Sequence, residues 1–517
     1  MNAAATPRAG RREWIGLAVL ALPCLLYSMD LTVLHLAVPQ LSADLAPSSA
    51  ELLWIIDIYG FLVAGSLITM GTLGDRIGRR RLLLMGAVAF GAASVLAAFS
   101  TSAEMLIATR ALLGIAGATV APSTLSLIRN MFLDPQQRTF AISVWITSFS
   151  VGGAVGPLIG GVLLEFFWWG SVFLISVPVM VLLLVLGPLL LPEYRDPAAG
   201  RADPLSAALS IAAVLSVIYG LKLIAQDGVA TLPILSILVG LLLGGAFVRR
   251  QLQLSDPLID LRLFRLPAFS ASVATYGLAI LVLFGGFLFL PQYLQLVLGL
   301  SPLEGGIWTL PWACAFVIGS LGTPAVVRRI RPVVLMVGGL IIGTLGFAIF
   351  TQVGATTSPA VIALGSFVYS LGFSPMFVVT NDLIIGSAPP ERAGAASGIS
   401  ETSAELGGAL GIAIFGSIGV AVYRAALGGA IPAGVPPEAA EAARGTLGAA
   451  IAVSEHLPAE TAAELVRTAR AAFVQGFRLC AAISVLGSLA LAVFVGVLLR
   501  RVGAAGEPSP SPETHAA

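Results

Sequence analysis

Charge is scarce in this chain: of 517 residues only 11% are Asp, Glu, Lys or Arg, against roughly 25% in ordinary soluble domains. Lysine is reduced to Lys222, and Leu223 follows it. A phosphate-binding loop needs lysine followed by serine or threonine, so ATP hydrolysis is excluded as an energy source. Cysteine is nearly absent too. Cys24, Cys314 and Cys480 each lie in an apolar stretch without Cys-x-x-Cys or Cys/His spacing, which argues against a disulfide framework or a zinc site and reads them as packing residues. A net charge of +1 supplies no field that would draw nucleic acid. No set of nucleophile, base and orienting group stands outside the apolar stretches, so the sequence predicts neither enzyme nor metal or cofactor site.

What the chain has instead is hydrocarbon, 57% of its residues being apolar. A bilayer core about 30 Å thick needs about 20 apolar residues per spanning helix. Such runs fall at 14–39, 52–72, 82–100, 103–126, 139–164, 170–192, 205–224, 231–248, 268–297, 303–326, 333–350, 358–380, 393–423 and 476–499, predicting an all-α polytopic membrane protein of fourteen spans. The first run follows Arg8, Arg11 and Arg12 and continues to Pro39 without a small-residue cleavage site, so it reads as an uncleaved span.

Short cytoplasmic loops carry an excess of basic residues, and alternating spans place 21 of the 28 Lys and Arg residues on one side, together with both termini. Residues 424–472 form one long external segment, rich in Ala, Glu and Arg, whose pattern suggests amphipathic helices; a disordered spacer is the alternative. The tail from Gly506 is Pro/Ser-rich and reads as disordered.

Between the second and third runs stands Gly71-Thr72-Leu73-Gly74-Asp75-Arg76-Ile77-Gly78-Arg79-Arg80-Arg81. Glycines there permit close helix packing and a tight turn, and Asp75 suits a helix N-terminus or an arginine. A loop that only anchors the inner face would explain the arginines but not Gly71, Asp75 and Gly78 among them. This pattern resembles the signature of the major facilitator superfamily. Further motifs resemble its fourteen-span drug:proton antiporters: Met29-Asp30-Leu31-Thr32-Val33 with Ala37-Val38-Pro39 in the first span, and Arg110-Ala111-Leu112-Leu113-Gly114-Ile115-Ala116-Gly117 in the fourth. In the fifth span the stretch Gly152 to Gly161, with Gly156, Pro157 and Gly160, is similar to the antiporter motif of exporters. Glycines there allow close crossing and the proline removes a backbone hydrogen bond, giving either a bending point or a static kink.

The resemblance implies a 6 + 2 + 6 arrangement: a cytoplasmic segment 1–13, a six-helix bundle 14–192, two additional helices with their flanks in 193–265, a second bundle 266–503 carrying the external loop 424–472, and a tail 504–517. It also implies a proton-coupling role for Arg110 and a gating role for Gly71, Asp75, Arg76, Gly78 and Arg79.

Ionisable groups inside hydrocarbon are expensive and commonly mark pathways or proton relays. Asp30, Asp57, Asp382, Glu401, Glu405 and Arg110 qualify, although Asp382 stands at a helix end and suits an interfacial or capping role. At 1.5 Å per residue Asp30 lies about 13 Å, Asp57 about 8 Å and Arg110 about 10 Å from the outer ends of their runs, so the three share the outer half of the first bundle. Glu401 and Glu405 are one turn apart and share a helix face, where two carboxylates in a low dielectric resist ionising together. The alternative for them is a tight helix interface with Gly394, Gly398 and Gly408, the acids hydrogen-bonded across it.

Aromatic faces attract cations that cannot be hydrogen-bonded. Candidates within spans are Trp54, which shares a face with Asp57, and Tyr59, Trp145, Phe149, Trp308 and Trp312. The substrate-binding set is therefore Asp30, Trp54, Asp57, Tyr59, Trp145, Phe149, Trp308, Glu401 and Glu405; the proton-coupling set is Asp30, Arg110, Glu401 and Glu405.

Together with the resemblance, these residues imply an antiporter that exports small lipophilic cations, such as quaternary ammonium compounds and dyes, in exchange for protons. It would need no cofactor beyond the proton-motive force and would work as a monomer in the inner membrane, with both termini cytoplasmic. Phe316 stands where pumps for divalent cations carry a further acid, which favours monovalent cargo. A second reading keeps the fold and makes the cargo an endogenous metabolite, peptide or siderophore.

Overall fold

In hydrocarbon every backbone N–H and C=O must be satisfied within the protein, which leaves long helices as the solution for runs this apolar. The computed structural model describes residues 8–500 apart from 46, 48, 196–202, 228, 255–256, 260, 301 and 390–391. The side chains of His35, Asp57, Pro157 and Lys222, and the segments 1–7 and 501–517, lie outside the described residues. Every regular element described is helical, and fourteen helices are long and apolar enough to cross a bilayer.

In chain order the spans are α1 (Arg11–Leu45), α2 (Ser49–Ile77), α3 (Arg79–Ala98), α4 (Ala103–Met131), α5 (Pro135–Phe166), α6 (Ser171–Leu190), α7 (Pro204–Asp227), α8 (Thr231–Gln253), α9 (Pro267–Val297), α10 (Pro302–Val327), α11 (Pro332–Phe350), α12 (Pro359–Ser387), α13 (Ala393–Gly428) and α14 (Ala459–Leu498). Six of them open on proline, whose missing N–H would have no intrahelical partner at that position anyway. Asp134 caps α5 by accepting from Gln137 N at 2.9 Å, and Ser102 caps α4 by accepting from Met105 N at 3.2 Å.

Helices α1–α6 pack as one bundle and α9–α14 as another. They meet chiefly where α2 lies against α13 and α5 against α10, with α4 on α13 and α5 on α12 beside these contacts. The inserted pair is placed asymmetrically. Helix α7 lies on both α2 and α13, with Ile218 and Leu221 against Phe61, Ala64, Ala409 and Ala413, while α8 packs on α7 and turns Leu235, Leu238, Leu241 and Leu242 outward. At the foot of this pair the Arg250 guanidinium and the Ser206 hydroxyl bond the Asp203 carboxyl at 2.7 Å each, holding it well below the usual carboxylate range.

The segment 424–472 is structured as Pro437–Gly445, Leu447–Ser454 and the first turns of α14. It rests on the second bundle: Tyr423 Oη donates to the Ala443 carbonyl at 2.9 Å, and Arg470 Nε to the Leu296 carbonyl at 2.9 Å. Cys24 and Cys480 are buried as packing residues, whereas Cys314 is exposed on α10, so the sequence reading of Cys314 does not hold.

Candidate functional site

Between the bundles lies a cavity of about 440 Å³ walled by α1, α5, α9, α10, α12 and α13. Its surface is largely aromatic. Tyr27, Trp145, Phe149, Tyr276, Phe284, Phe287, Trp312, Phe316 and Phe377 line it, and Glu401 and Glu405 are its acids. The i, i+4 spacing puts both carboxyls on one face of α13, and that face is turned to the cavity. Tyr27 shares this wall with Glu405, and among the described residues Oε1 of Glu401 is buried without a hydrogen-bond partner.

Trp145 is fixed from behind, its indole N–H donating to Thr124 Oγ1 at 2.8 Å and its ring meeting Phe149 edge-on at 4.8 Å. Opposite them, Trp312 lies 5.6 Å from Phe287 and 6.0 Å from Phe316. Ring faces and two carboxyls thus share one pocket, a combination that can attract positive charge.

Asp30 and Arg110 meet, as their depths predict, but away from this cavity. They form a buried ion pair with Arg110 only 1% exposed and Asp30 12% exposed. Arg110 Nε also donates to the Ile55 carbonyl at 3.1 Å, and its guanidinium sits 4.7 Å over the Tyr59 ring. Tyr59 therefore belongs with the ion pair. Trp54 lies elsewhere again: 41% exposed, it stacks on Tyr219 of α7 at 6.2 Å. Trp308 packs against the core without lining the cavity, one turn from Trp312, which does. Asp57 is outside the described side chains.

The glycine-rich loop after α2 is a clamp. Asp75, itself buried, accepts hydrogen bonds from Gly394 N at 3.1 Å and Ala395 N at 2.9 Å, the free donors at the start of α13. Arg79 closes the group, bonding Asp75 Oδ1 through Nε at 2.8 Å and stacking on Tyr194 at 5.0 Å. Gly71 and Gly394 let the two backbones touch; a Cβ on Gly394 would lie 2.6 Å from the Gly71 carbonyl oxygen. Gly78 adopts φ 110°, a conformation costly for other residues, and Arg76 is half-buried on the preceding turn.

Two further clamps join the halves on the same, arginine-bearing face. Arg138 Nε and Thr139 Oγ1 each reach the Asp382 carboxyl at 2.8 Å, and Arg129 bonds the Ile385 and Ala388 carbonyls at the end of α12. At the opposite face the hydrogen bonds of Gln40 and Trp169 stay within the first bundle, and those of Tyr293, Arg470 and Arg478 within the second. The halves are thus drawn together at the basic face.

In α5, Gly152 brings the helix against the Leu25 backbone of α1, a Cβ there falling 3.0 Å from Leu25 Cα, and Gly153 opens on the cavity beside Ser28. Gly156 and Gly160 are buried, Gly161 has open space beside it, and the helix runs unbroken from Pro135 to Phe166 through Pro157.

Sequence reasoning passed over Tyr27, Tyr276, Phe284, Phe287 and Phe377. Tyr27 carried a signal, standing one turn before Asp30; the others needed the fold of the second half.

Two helical bundles about a central acid-bearing cavity are the architecture of a membrane transporter. The chain belongs to the Major Facilitator Superfamily, whose model matches residues 20–412. It is 45% identical over 496 residues to the multidrug efflux pump LfrA of Mycolicibacterium smegmatis, covering 96% of this chain and 98% of that protein. It is 39% identical over 498 residues to the methyl viologen resistance protein SmvA of Salmonella typhimurium, covering 94% and 98%. Its fold is that of the human organic anion transporter MFSD10, with a TM-score of 0.57 at 16% identity over 92% of this chain and 99% of that one.

Proposed function

We propose that this transporter exports lipophilic cations, quaternary ammonium compounds and planar dyes among them, in exchange for protons. It works as a monomer in the inner membrane, its basic face and both termini in the cytoplasm. The observation that carries the reading is the placement of Glu401 and Glu405, one turn apart, in a cavity whose other lining residues are uncharged and largely aromatic. A cation gains from ring faces and from a carboxylate, and a proton competes for that carboxylate. Proton binding then lowers cation affinity by linkage, and external protons release cargo taken from the cytoplasm or inner leaflet.

With the basic face in the cytoplasm, the clamped arrangement would be the state open away from it, in which release and protonation occur. Alternating access would follow from rocking the bundles about the cavity. The two similar proteins support the cargo class, since one is a multidrug efflux pump and the other a resistance protein for methyl viologen, a flat aromatic dication. Phe316 in the wall still favours monovalent cargo, which ethidium and methyl viologen can compare.

The experiment is efflux of ethidium from proteoliposomes under an imposed ΔpH, with single Glu401→Gln, Glu405→Gln and Asp30→Asn variants. The glutamine variants are expected to lose ΔpH-driven efflux by at least about tenfold and to release fewer protons on cation binding. Wild-type drive and proton release in both would sink the assignment.

A further inference from the structure

The Asp30–Arg110 pair and the cavity acids sit in different places, so a proton taken up at one must be felt at the other. Resting on the antiport reading above, we propose that Tyr59 and Tyr27 are positioning residues that carry the charge state of the Asp30–Arg110 pair to Glu405 in the cavity.

Arg110 has few groups to lean on. Besides Asp30 it bonds the Ile55 carbonyl and lies over Tyr59 at 4.7 Å, with the Phe173 ring farther off at 5.9 Å. When Asp30 takes a proton the guanidinium loses its anionic partner, and its attraction to the Tyr59 ring face becomes its principal remaining compensation. Tyr59 is fully buried and held in place by the helix that carries Arg110. A Cβ on Gly117 would come within 3.2 Å of Tyr59 Oη, and one on Gly114 within 3.2 Å of Tyr59 Cα. The spacing Arg110, Gly114, Gly117 therefore supplies a charge and a flat surface on one face of α4, and Tyr59 lies against both.

From Tyr59 the path continues to α1. Its hydroxyl points at the Tyr27 carbonyl at 3.5 Å, and the two rings are 6.2 Å apart. Tyr27 lines the cavity together with Glu405 and meets Phe149 edge-on at 5.6 Å. The charged and titratable groups around this tyrosine pair are Asp30 on α1, Arg110 on α4, and Glu401 and Glu405 on α13; α5 contributes the uncharged Trp145 and Phe149, and α6 contributes Phe173. A shift of Arg110 toward Tyr59 displaces Tyr27 and alters the surroundings of the Glu405 carboxyl, which changes how strongly that acid holds a proton against a cation.

The test uses full-length protein in proteoliposomes with ethidium as probe. Tyr59 lies outside the cavity, so Tyr59→Leu is expected to keep ethidium counterflow, which moves no net protons, within about twofold of wild type while ΔpH-driven efflux falls by at least about tenfold. Tyr59→Phe, which keeps the ring over Arg110, is expected to retain drive within about threefold. In a Tyr27→Phe background, Asp30→Asn should no longer shift the pH profile of ethidium binding, as it does in the wild type.

Unchanged ΔpH drive in Tyr59→Leu, or a full Asp30→Asn shift in the Tyr27→Phe background, overturns the proposal. Equal loss of counterflow and drive in Tyr59→Leu overturns it too, by showing a packing role alone. Wild-type efflux indifferent to ΔpH would instead overturn the antiport reading on which it rests.

Discussion

Trp54 and Trp312 show what a single aromatic residue reveals about itself. Both stand inside apolar runs, yet Trp312 faces the cavity and Trp54 packs on Tyr219. Trp54→Leu is therefore expected to leave ethidium affinity within about twofold while lowering stability by about 0.5–1.5 kcal/mol, the usual worth of a ring pair. Trp312→Ala should weaken binding by about tenfold, since it removes a cavity wall. Fluorescence titration and a thermal melt in detergent check both, and a larger affinity loss at Trp54 than at Trp312 would contradict the assigned geometry. Acids were legible in the sequence because each is costly in hydrocarbon and so stands out singly. Rings carry no such mark. Their role depends on which face a neighbouring helix covers, and Tyr27, Tyr276 and Phe377 acquire theirs only when α1, α9, α12 and α13 come together.

Helix α13 carries two devices on one rod, the cavity acids and, at its start, the free N–H groups that Asp75 accepts. The loop motif was legible as a latch in the sequence, but its partner was not, because Gly394 lies hundreds of residues away in an unremarkable glycine-rich run. Gly394→Val would drive a branched side chain into the Gly71 carbonyl and the Asp75 carboxyl, which would lie 2.6 Å and 2.5 Å from its Cβ. The clamped state should lose population. Labelling of a Ser28→Cys reporter in the cavity by a membrane-impermeant maleimide applied opposite the basic face should slow by at least about fivefold, and efflux should fall with it. Unchanged labelling would show that the clamp does not set the state. Helix α14 teaches a related lesson: it begins at Ala459, well before its apolar run, because Ala, Glu and Arg favour helix as strongly as leucine does while hiding from a hydropathy reading.

Across the whole molecule, the fourteen spans follow from bilayer thickness, which any window along the chain samples, and arginine placement predicts which face is cytoplasmic. The seams do not follow, since hydropathy says how long a helix is and nothing of its neighbours; hence α7, covering α2 and α13, emerged only in three dimensions. The paired acids of the cavity have an electrical consequence at this scale. If Glu401 and Glu405 each take up a proton per cycle, a monovalent cargo leaves while two charges enter, and one net charge crosses inward. A dication makes the same exchange neutral. Membrane voltage then contributes about 2.3 kcal/mol per 100 mV to ethidium export and nothing to methyl viologen export. Imposing a potassium diffusion potential with valinomycin, inside negative in the cellular sense, should accelerate the first and leave the second unmoved. Equal response of the two cargoes would rule out two-proton exchange. On a two-proton exchange, two carboxyls one turn apart would let the cell's voltage, as well as its pH gradient, power export of a monovalent cargo.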